Sequence, residues 1–149
     1  MLLRQAKRAE IGVPIGAFML TSVGELNANK NHSVAVRALS KTDKRVHYVV
    51  AGKGELEKKL RILSKENKVS KRVHLLGFCT DIPELYKASD CCVFPSIREG
   101  NRGTRRFVEH ENGIVCKHDN PDAFSRAVTS LFRDRKRCEK MKKCNIEKK

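Results

Sequence analysis

The order of the predicted strands and helices constrains this chain most, because short apolar β-type runs alternate with amphipathic helical patterns. Strands are predicted over 17–24, 45–52, 72–78, 90–95 and, after an interruption, 113–116. Helices are predicted over 2–10, 29–40, 55–68, 81–89 and 120–132, followed by a basic terminal helix. Alternation of this kind predicts an α/β fold, a Rossmann-like parallel sheet with helices on both faces.

Two of the predicted helices begin at residues of the types that cap helices. We expect Asn29 or Asn31 to cap the helix over 29–40. We expect Asp81 to cap the helix over 81–89, with Pro83 in its first turn. Such a start leaves backbone N–H groups and the positive end of the helix dipole beside the strand tips.

The composition fits one cytosolic domain over residues 1–149. No apolar run approaches the length of about 18 residues that a membrane span requires, and the start of the chain lacks a signal-peptide core. The six cysteines form no C-x-x-C pair, which favours reduced thiols over a zinc site. The five histidines show no pairing pattern, so we interpret them as surface or strand residues.

The chain is strongly basic, with 32 Lys and Arg against 17 acidic residues and a net charge of +15. Much of the excess lies at the end, in residues 133–149. A surface of this kind attracts phosphates, nucleic acid or anionic lipid. A solvated helix face is the more common explanation of such a run.

Ligands of parallel α/β sheets bind beyond the carboxyl ends of the strands, which directs attention to three loops. In the loop after the first strand, Gly24 allows a tight turn and Lys30 adds a positive charge, which together suit phosphate. The loop after the second strand contains Gly52 and Gly54, which would let the backbone approach a ligand closely. In the loop after the fourth strand, Glu99 could accept hydrogen bonds from sugar hydroxyls.

Arginines follow that third loop at positions 102, 105 and 106, and guanidinium groups suit diphosphates. Taken singly, each of these loops is more often an ordinary polar connection than a site. Three such loops at one edge of a sheet carry more weight than each alone.

Four segments carry a resemblance to a known family, namely SVGELNANKNHSVAVRAL, HYVVAGKGELEKKL, VHLLGFCTDIPELYKASDCCVFPSIREG and NRGTRRFVEHENGIVC. Together they resemble the carboxy-terminal half of a bacterial retaining glycosyltransferase of family 4, of the GT-B type. They are most similar to the enzymes of capsule and exopolysaccharide synthesis. The resemblance covers nearly the whole chain and preserves the order of the motifs.

The resemblance implies a domain that binds a nucleotide-sugar donor, most simply of the UDP type, and transfers its sugar to a polysaccharide or lipid-linked acceptor without a tightly bound metal. It implies catalytic roles for Lys30 and Glu99, with Lys30 beside the diphosphate. Glu25 stands where many relatives carry an arginine, which weakens the cationic clamp. The segment 76–82 would lie near the base. The substrate-binding residues implied are Gly24, Glu25, Asn29, Gly52, Lys53, Gly54, Phe78, Gly100 and Arg102.

The stretch SDCCVFPSIREGNRGTRRF departs from the family pattern, because one loop joins another without the helix and strand expected between them. Phe107 follows where the second glutamate of the family's paired-glutamate motif is expected. We therefore expect that roughly twenty residues, about one βα unit, are absent after Gly100. A short, misaligned loop is the alternative.

We also expect the amino-terminal acceptor domain of a GT-B enzyme to be absent from this chain, with the missing domain or a full-length protein as a partner. Negligible transferase activity is then predicted for the chain alone. A degenerate fragment is one alternative. Another is a basic α/β module that binds nucleic acid or an anionic membrane through 133–149, at the inner membrane face. Nucleic acid is disfavoured, because RNP-type, KH and helix-turn-helix signatures are lacking and aromatic residues are scarce.

Overall fold

The computed structural model describes residues 2–93, 120–136 and 138. In this part of the chain the helices are α1 (Leu2–Ile11), α2 (His32–Leu39), α3 (Glu57–Glu66), α4 (Ile82–Ala88) and α5 (Pro121–Arg133), with a 3-10 turn over Ser70–Arg72. The strands are β1 (Phe18–Val23), β2 (Val46–Ala51), β3 (Val73–Gly77) and β4 (Cys91–Cys92). Each prediction over these residues has a counterpart whose bounds differ by a few positions. The predicted strand 113–116 lies outside the described residues, as does most of the predicted terminal helix.

The four strands form one parallel sheet in the order β3-β2-β1-β4. β1 lies centrally and pairs Phe18 with Val46 of β2 on one side and Leu20 with Cys91 of β4 on the other. β4 contributes two paired residues, fewer than the predicted 90–95, and residues 94 and 95 lie outside the described residues. The predicted fold class, a Rossmann-like parallel sheet flanked by helices, is confirmed.

Helices cover both faces of the sheet because successive side chains of each strand point to opposite sides. Phe18 and Leu20 of β1 and Tyr48 of β2 lie in one core with apolar residues of α2, α3 and α5. Met19 of β1 and Val49 of β2 lie in a second core with residues of α4 and of the segment after α1. Both inner strands are therefore buried on both faces, as expected for a doubly covered parallel sheet.

Helix α2 begins at His32, later than the predicted start at 29. The backbone N–H of Lys30 donates to Oδ1 of Asn27 at 2.9 Å, and Asn31 takes the left-handed conformation with φ 56° and ψ 35°. These features close a turn before the helix starts. Asn31 occupies the N-cap position without a side-chain cap hydrogen bond, so the capping predicted for Asn29 or Asn31 is wrong.

The capping predicted for Asp81 is also wrong in its chemistry. Asp81 occupies the N-cap position of α4 but makes no side-chain cap hydrogen bond there. Its carboxylate instead forms an ion pair with the ammonium group of Lys7 on α1, and that hydrogen bond lowers the pKa of Asp81. The contact joins the two helices that cover the same face of the sheet.

Helix α5 starts as its sequence predicts. Asn120 accepts a hydrogen bond from the Ala123 N–H at 3.0 Å, and Pro121 follows as the first helical residue. Within the described ranges, none of the helices is both long and apolar enough to cross a bilayer.

Candidate functional site

The loops that follow β1 and β2 are joined by backbone hydrogen bonds beyond the ends of the strands. The Gly24 N–H donates to the Ala51 carbonyl at 3.0 Å, and the Leu26 N–H donates to the Lys53 carbonyl at 2.9 Å. The Leu56 N–H then donates to the Leu26 carbonyl at 3.1 Å. The two predicted ligand loops therefore form one continuous backbone layer at the carboxyl edge of the sheet.

The glycines of the second loop are required by this backbone contact. A Cβ on Gly52 would lie 2.0 Å from the Gly24 carbonyl oxygen, and one on Gly54 would lie 2.4 Å from the Leu26 carbonyl oxygen. Only glycine fits at such an approach. The sequence predicts that these glycines let the backbone approach a ligand. In the structure they let the backbone of the neighbouring loop approach. Contact of Gly52 and Gly54 with a nucleotide stays a prediction.

Two lysine side chains lie at this edge. The Lys30 chain packs over Gly24, since a Cβ on Gly24 would lie 3.2 Å from Cδ of Lys30. Lys53 is exposed, and its Cε lies 4.0 Å from the Cβ position of Gly77 at the end of β3. Neither lysine takes part in an ion pair within the described segments. Their charges are therefore available to an anion.

Glu25 brings a negative charge to the same edge. Glu25 is exposed and accepts a hydrogen bond from Nδ2 of Asn27 at 2.8 Å. Asn29 is also exposed on this loop. A negative charge at Glu25 reduces the attraction of this edge for an anion.

The loop after β3 presents an aromatic side chain to solvent. Gly77 ends the strand with φ 74°, a left-handed conformation that favours glycine, and its carbonyl accepts from the Gly52 N–H at 2.8 Å. Phe78 follows and is 74% exposed. Phe78 is thus a large exposed apolar residue beside the loop after β2, and its contact with a base stays a prediction.

A buried histidine lies beneath the first loop. His32 is 2% exposed, with Nδ1 at 2.9 Å from the Tyr48 hydroxyl and Nε2 at 3.2 Å from the Glu25 carbonyl oxygen. Burial lowers the pKa of His32, and the charge of Lys30 acts in the same direction. Burial also raises the pKa of Tyr48.

A second pair of histidines joins β2 to β3. Nδ1 of His47 lies 3.0 Å from Nε2 of His74, and the two ring planes differ by 18°. The interpretation of the histidines as surface or strand residues without a pairing pattern missed the contact between these two, and it is wrong for the buried His32 on α2. His110 and His118 lie outside the described residues. A signal was present, since both strands begin with the same tripeptide, Arg-Val-His, at 45–47 and 72–74. No comparable signal marks His32, whose partners lie on β2 and on the loop.

Three of the predicted site residues, Glu99, Gly100 and Arg102, lie outside the described residues. Within them, no group of three or more His, Cys, Asp and Glu side chains could hold a metal ion. The candidate site is thus an open edge built from Gly24, Glu25, Asn29, Lys30, Gly52, Lys53, Gly54 and Phe78.

An open cleft of about 440 Å³ lies elsewhere, between the end of α2 and α5. It is lined by basic and hydroxyl side chains, those of Lys41, Ser125, Arg126, Thr129, Ser130 and Arg133. Lys41 is paired with Asp122. The cleft is not at the carboxyl edge of the sheet and is separate from the candidate site.

The sequence model of the family described as glycosyl transferases group 1 matches residues 4–101. This chain belongs to that family. The match covers about two thirds of its 149 residues and includes both lysine loops. It ends at residue 101, one position after Gly100.

Two curated relatives illustrate the similarity of this group 1 glycosyltransferase domain. EpsD of Bacillus subtilis, described as a glycosyltransferase, is 30% identical over 161 aligned positions, which cover 93% of this chain and 42% of EpsD. An Escherichia coli UDP-Gal:alpha-D-GlcNAc-diphosphoundecaprenol alpha-1,3-galactosyltransferase is 33% identical, with 74% of this chain and 32% of that protein covered. The chain spans less than half the length of these relatives.

A solved structure shows the fold. HepE of Anabaena, crystallised in complex with UDP and glucose, matches with a TM-score of 0.86 at 19% identity, covering 94% of this chain and 45% of HepE. The domain therefore has the architecture of one half of a GT-B glycosyltransferase.

Proposed function

We propose that this chain is the donor-binding domain of a retaining glycosyltransferase of family 4, of the capsule or exopolysaccharide type. Its ligand is a nucleoside diphosphate sugar, with UDP as the nucleotide. The acceptor is a polysaccharide or a lipid-linked sugar. One observation carries the proposal, namely the joined loops that hold Lys30 and Lys53, free of ion pairs among the described residues, at the carboxyl edge of a group 1 domain.

Ligands in the names of related proteins support the choice of donor and acceptor. HepE was crystallised with UDP and glucose, and the E. coli relative is named for a UDP-galactose donor and a diphosphoundecaprenol-linked acceptor. The donor sugar is not specified by these observations, so UDP is the ligand with which to test the proposal.

The proposed chemistry assigns each group a charge-based role. Lys30 offsets the charge that develops on the leaving diphosphate, with Lys53 on the neighbouring loop adding to it. The backbone of Gly24 and Asn29, near the positive end of α2, faces the phosphates. Glu99 acts at the sugar, and Gly100 and Arg102 bind beside it. These groups supply the electrostatic stabilisation without a tightly bound metal.

Two observations support the absence of a βα unit after Gly100. The family match stops at residue 101. The 161 aligned positions with EpsD contain 93% of 149 residues, or about 139, which leaves about 22 positions of the alignment without a residue of this chain. We propose that the second glutamate and its ribose contact are lost with that unit. Together with the need for an acceptor domain, this predicts negligible transfer by the chain alone.

The proposal is tested by calorimetric titration of the chain with UDP. We expect binding that weakens about tenfold in a Lys30→Met variant, because a charge-assisted contact to phosphate is lost. Lys59→Met, an exposed lysine on α3, is the matched control and leaves the affinity unchanged. Absence of heat with millimolar UDP would overturn the proposal.

A second candidate function rests on the charge of the chain. The net charge of +15 and the basic run 133–149 favour a module that docks on an anionic membrane surface, at the inner membrane face, more than on nucleic acid. Sedimentation with vesicles containing anionic lipid, compared with neutral vesicles and with a short DNA duplex at two salt concentrations, distinguishes these cases. Binding to neither vesicle nor DNA would eliminate this candidate.

A further inference from the structure

The two ring nitrogens of His32 have different, identifiable roles. A carbonyl oxygen can only accept, so the contact of 3.2 Å to the Glu25 carbonyl requires the hydrogen on Nε2. In a neutral ring Nδ1 is then an acceptor, and the Tyr48 hydroxyl at 2.9 Å donates to it. The structure thus selects one tautomer of this histidine.

The Tyr48 hydroxyl belongs to a fully buried residue of β2, so its hydrogen bond to Nδ1 holds the ring from the core side. A chain of hydrogen bonds therefore runs from β2 through α2 to the loop carbonyl.

The loop that receives this last bond is the one that carries Lys30. Its start is bound to β2 through Gly24, and its end is the first turn of α2. His32 joins that end back to the carbonyl of Glu25, across an exposed stretch that includes Ala28 and Asn29. Between the two joined points the Lys30 chain packs on Gly24.

We infer that His32 is a positioning residue of the donor site, whose Nε2–H fixes the Glu25 carbonyl and so holds the loop that presents Lys30. The choice of UDP as the ligand rests on the proposed function, whereas the effect of His32 on the loop does not depend on it. His32 does not itself touch substrate, because it is buried and both nitrogens are already engaged.

Two conservative substitutions separate the two bonds. The amide nitrogen of glutamine reaches the place of Nε2, so His32→Gln retains a donor to the Glu25 carbonyl. The shorter asparagine places its amide oxygen near the position of Nδ1. His32→Asn therefore still accepts from the Tyr48 hydroxyl but loses the hydrogen bond to the Glu25 carbonyl. We expect UDP affinity to fall about five- to tenfold in H32N, the effect of one hydrogen bond, and to stay within about threefold in H32Q.

Hydrogen exchange of the amides of residues 24–30 gives a readout that needs no ligand. We expect faster exchange there in H32N than in H32Q or the unmodified chain. Equal affinity and equal exchange in the two variants would overturn the inference. If the unmodified chain does not bind UDP, the proposed function fails, and the exchange comparison still decides the role of His32.

The unmodified chain offers a test that does not depend on whether the variants fold. Nitrogen-15 NMR of the imidazole is expected to show a neutral His32 with a slowly exchanging hydrogen on Nε2 and an unprotonated Nδ1. A hydrogen on Nδ1 at neutral pH would contradict the inference, because Nε2 could then not donate to the loop.

Discussion

The guanidinium of Arg8 and the carboxylate of Asp90 form an ion pair in the protein interior, with 2.8 Å between Nη2 and Oδ2. Their side chains are 1% and 6% exposed. Arg8 also donates to the carbonyl of Ala17 at 2.8 Å, and Asp90 accepts from the Met19 N–H at 2.8 Å. The pair thus ties α1 to the start of β1 and to the residue before β4.

We expect Asp90→Asn to lower the free energy of unfolding by about 3–5 kcal/mol, because it leaves the Arg8 charge buried without its partner. Burial alone would raise the pKa of Asp90, but the Met19 amide and the guanidiniums of Arg8 and Arg4 outweigh it, and the pKa is lowered. Urea unfolding measures the loss. Asp122→Asn, which breaks the exposed pair with Lys41, is the control and should change stability little. A D90N variant as stable as the control would contradict this account of the ion pair.

The contact between the two loops predicts a steric effect at Gly54. Gly54→Ala would place Cβ 2.4 Å from the Leu26 carbonyl oxygen, a backbone atom that cannot rotate away. We expect a loss of about 1–3 kcal/mol in urea unfolding, together with weaker UDP binding as the loops separate. Gly16→Ala is the matched control, because nothing lies within 4 Å of its Cβ position. Equal free energies of unfolding in the two variants would contradict this steric effect, because the loops would then move apart without loss of stability.

The sheet could be predicted from sequence because its causes are local and periodic. Phe18 and Leu20 alternate with Met19, and each set meets a helix whose apolar stripe repeats at helical spacing. The family motifs indicated which of the loops carry the candidate site. The strands, the helices and the loops between them therefore depend on residues that are close in sequence or that recur at a fixed spacing.

Contacts between distant residues were not visible in the same way. The cap expected at Asp81 is replaced by an ion pair with Lys7, which lies 74 positions away in the chain. The glycines at 52 and 54 are explained by the backbone at 24–26, and the His32 network needs the register of β1 with β2. The pattern of a single segment does not show which distant residue will bind a polar side chain in that segment.

The histidines predict that acid destabilises the domain. Burial lowers the pKa of His32 and of His74, and burial together with the charge of His74 lowers the pKa of His47 to about 4. The unfolded chain takes up protons near the ordinary pKa of about 6.5, whereas the folded chain does not. Stability is therefore complete above pH 6.5 and is lost as the pH falls from there towards 4.

Thermal unfolding between pH 8 and pH 4 measures this loss. We expect the melting temperature to decline less steeply in a His47→Gln, His74→Gln double variant, since two of the three groups no longer bind protons. The lowered pKa of Asp90 adds a loss of its own only below about pH 5, where the carboxyls of the unfolded chain begin to bind protons, so the slopes are compared above that pH. An unchanged slope in the double variant would exclude the His47–His74 pair as a source of the acid sensitivity.

Phe78 predicts a separation of base binding from phosphate binding. The side chain is 74% exposed beside the ligand loops, so Phe78→Ala removes little buried surface and should leave the unfolding midpoint unchanged. If the ring stacks on the base, UDP affinity falls about 5- to 150-fold, which corresponds to about 1–3 kcal/mol for base stacking. Pyrophosphate, which has no base, should bind equally to both forms. The control is Ile62→Ala, because Ile62 is also an exposed apolar residue but lies on α3. Equal losses for UDP and pyrophosphate would place the effect of Phe78 on the loop and not on the base.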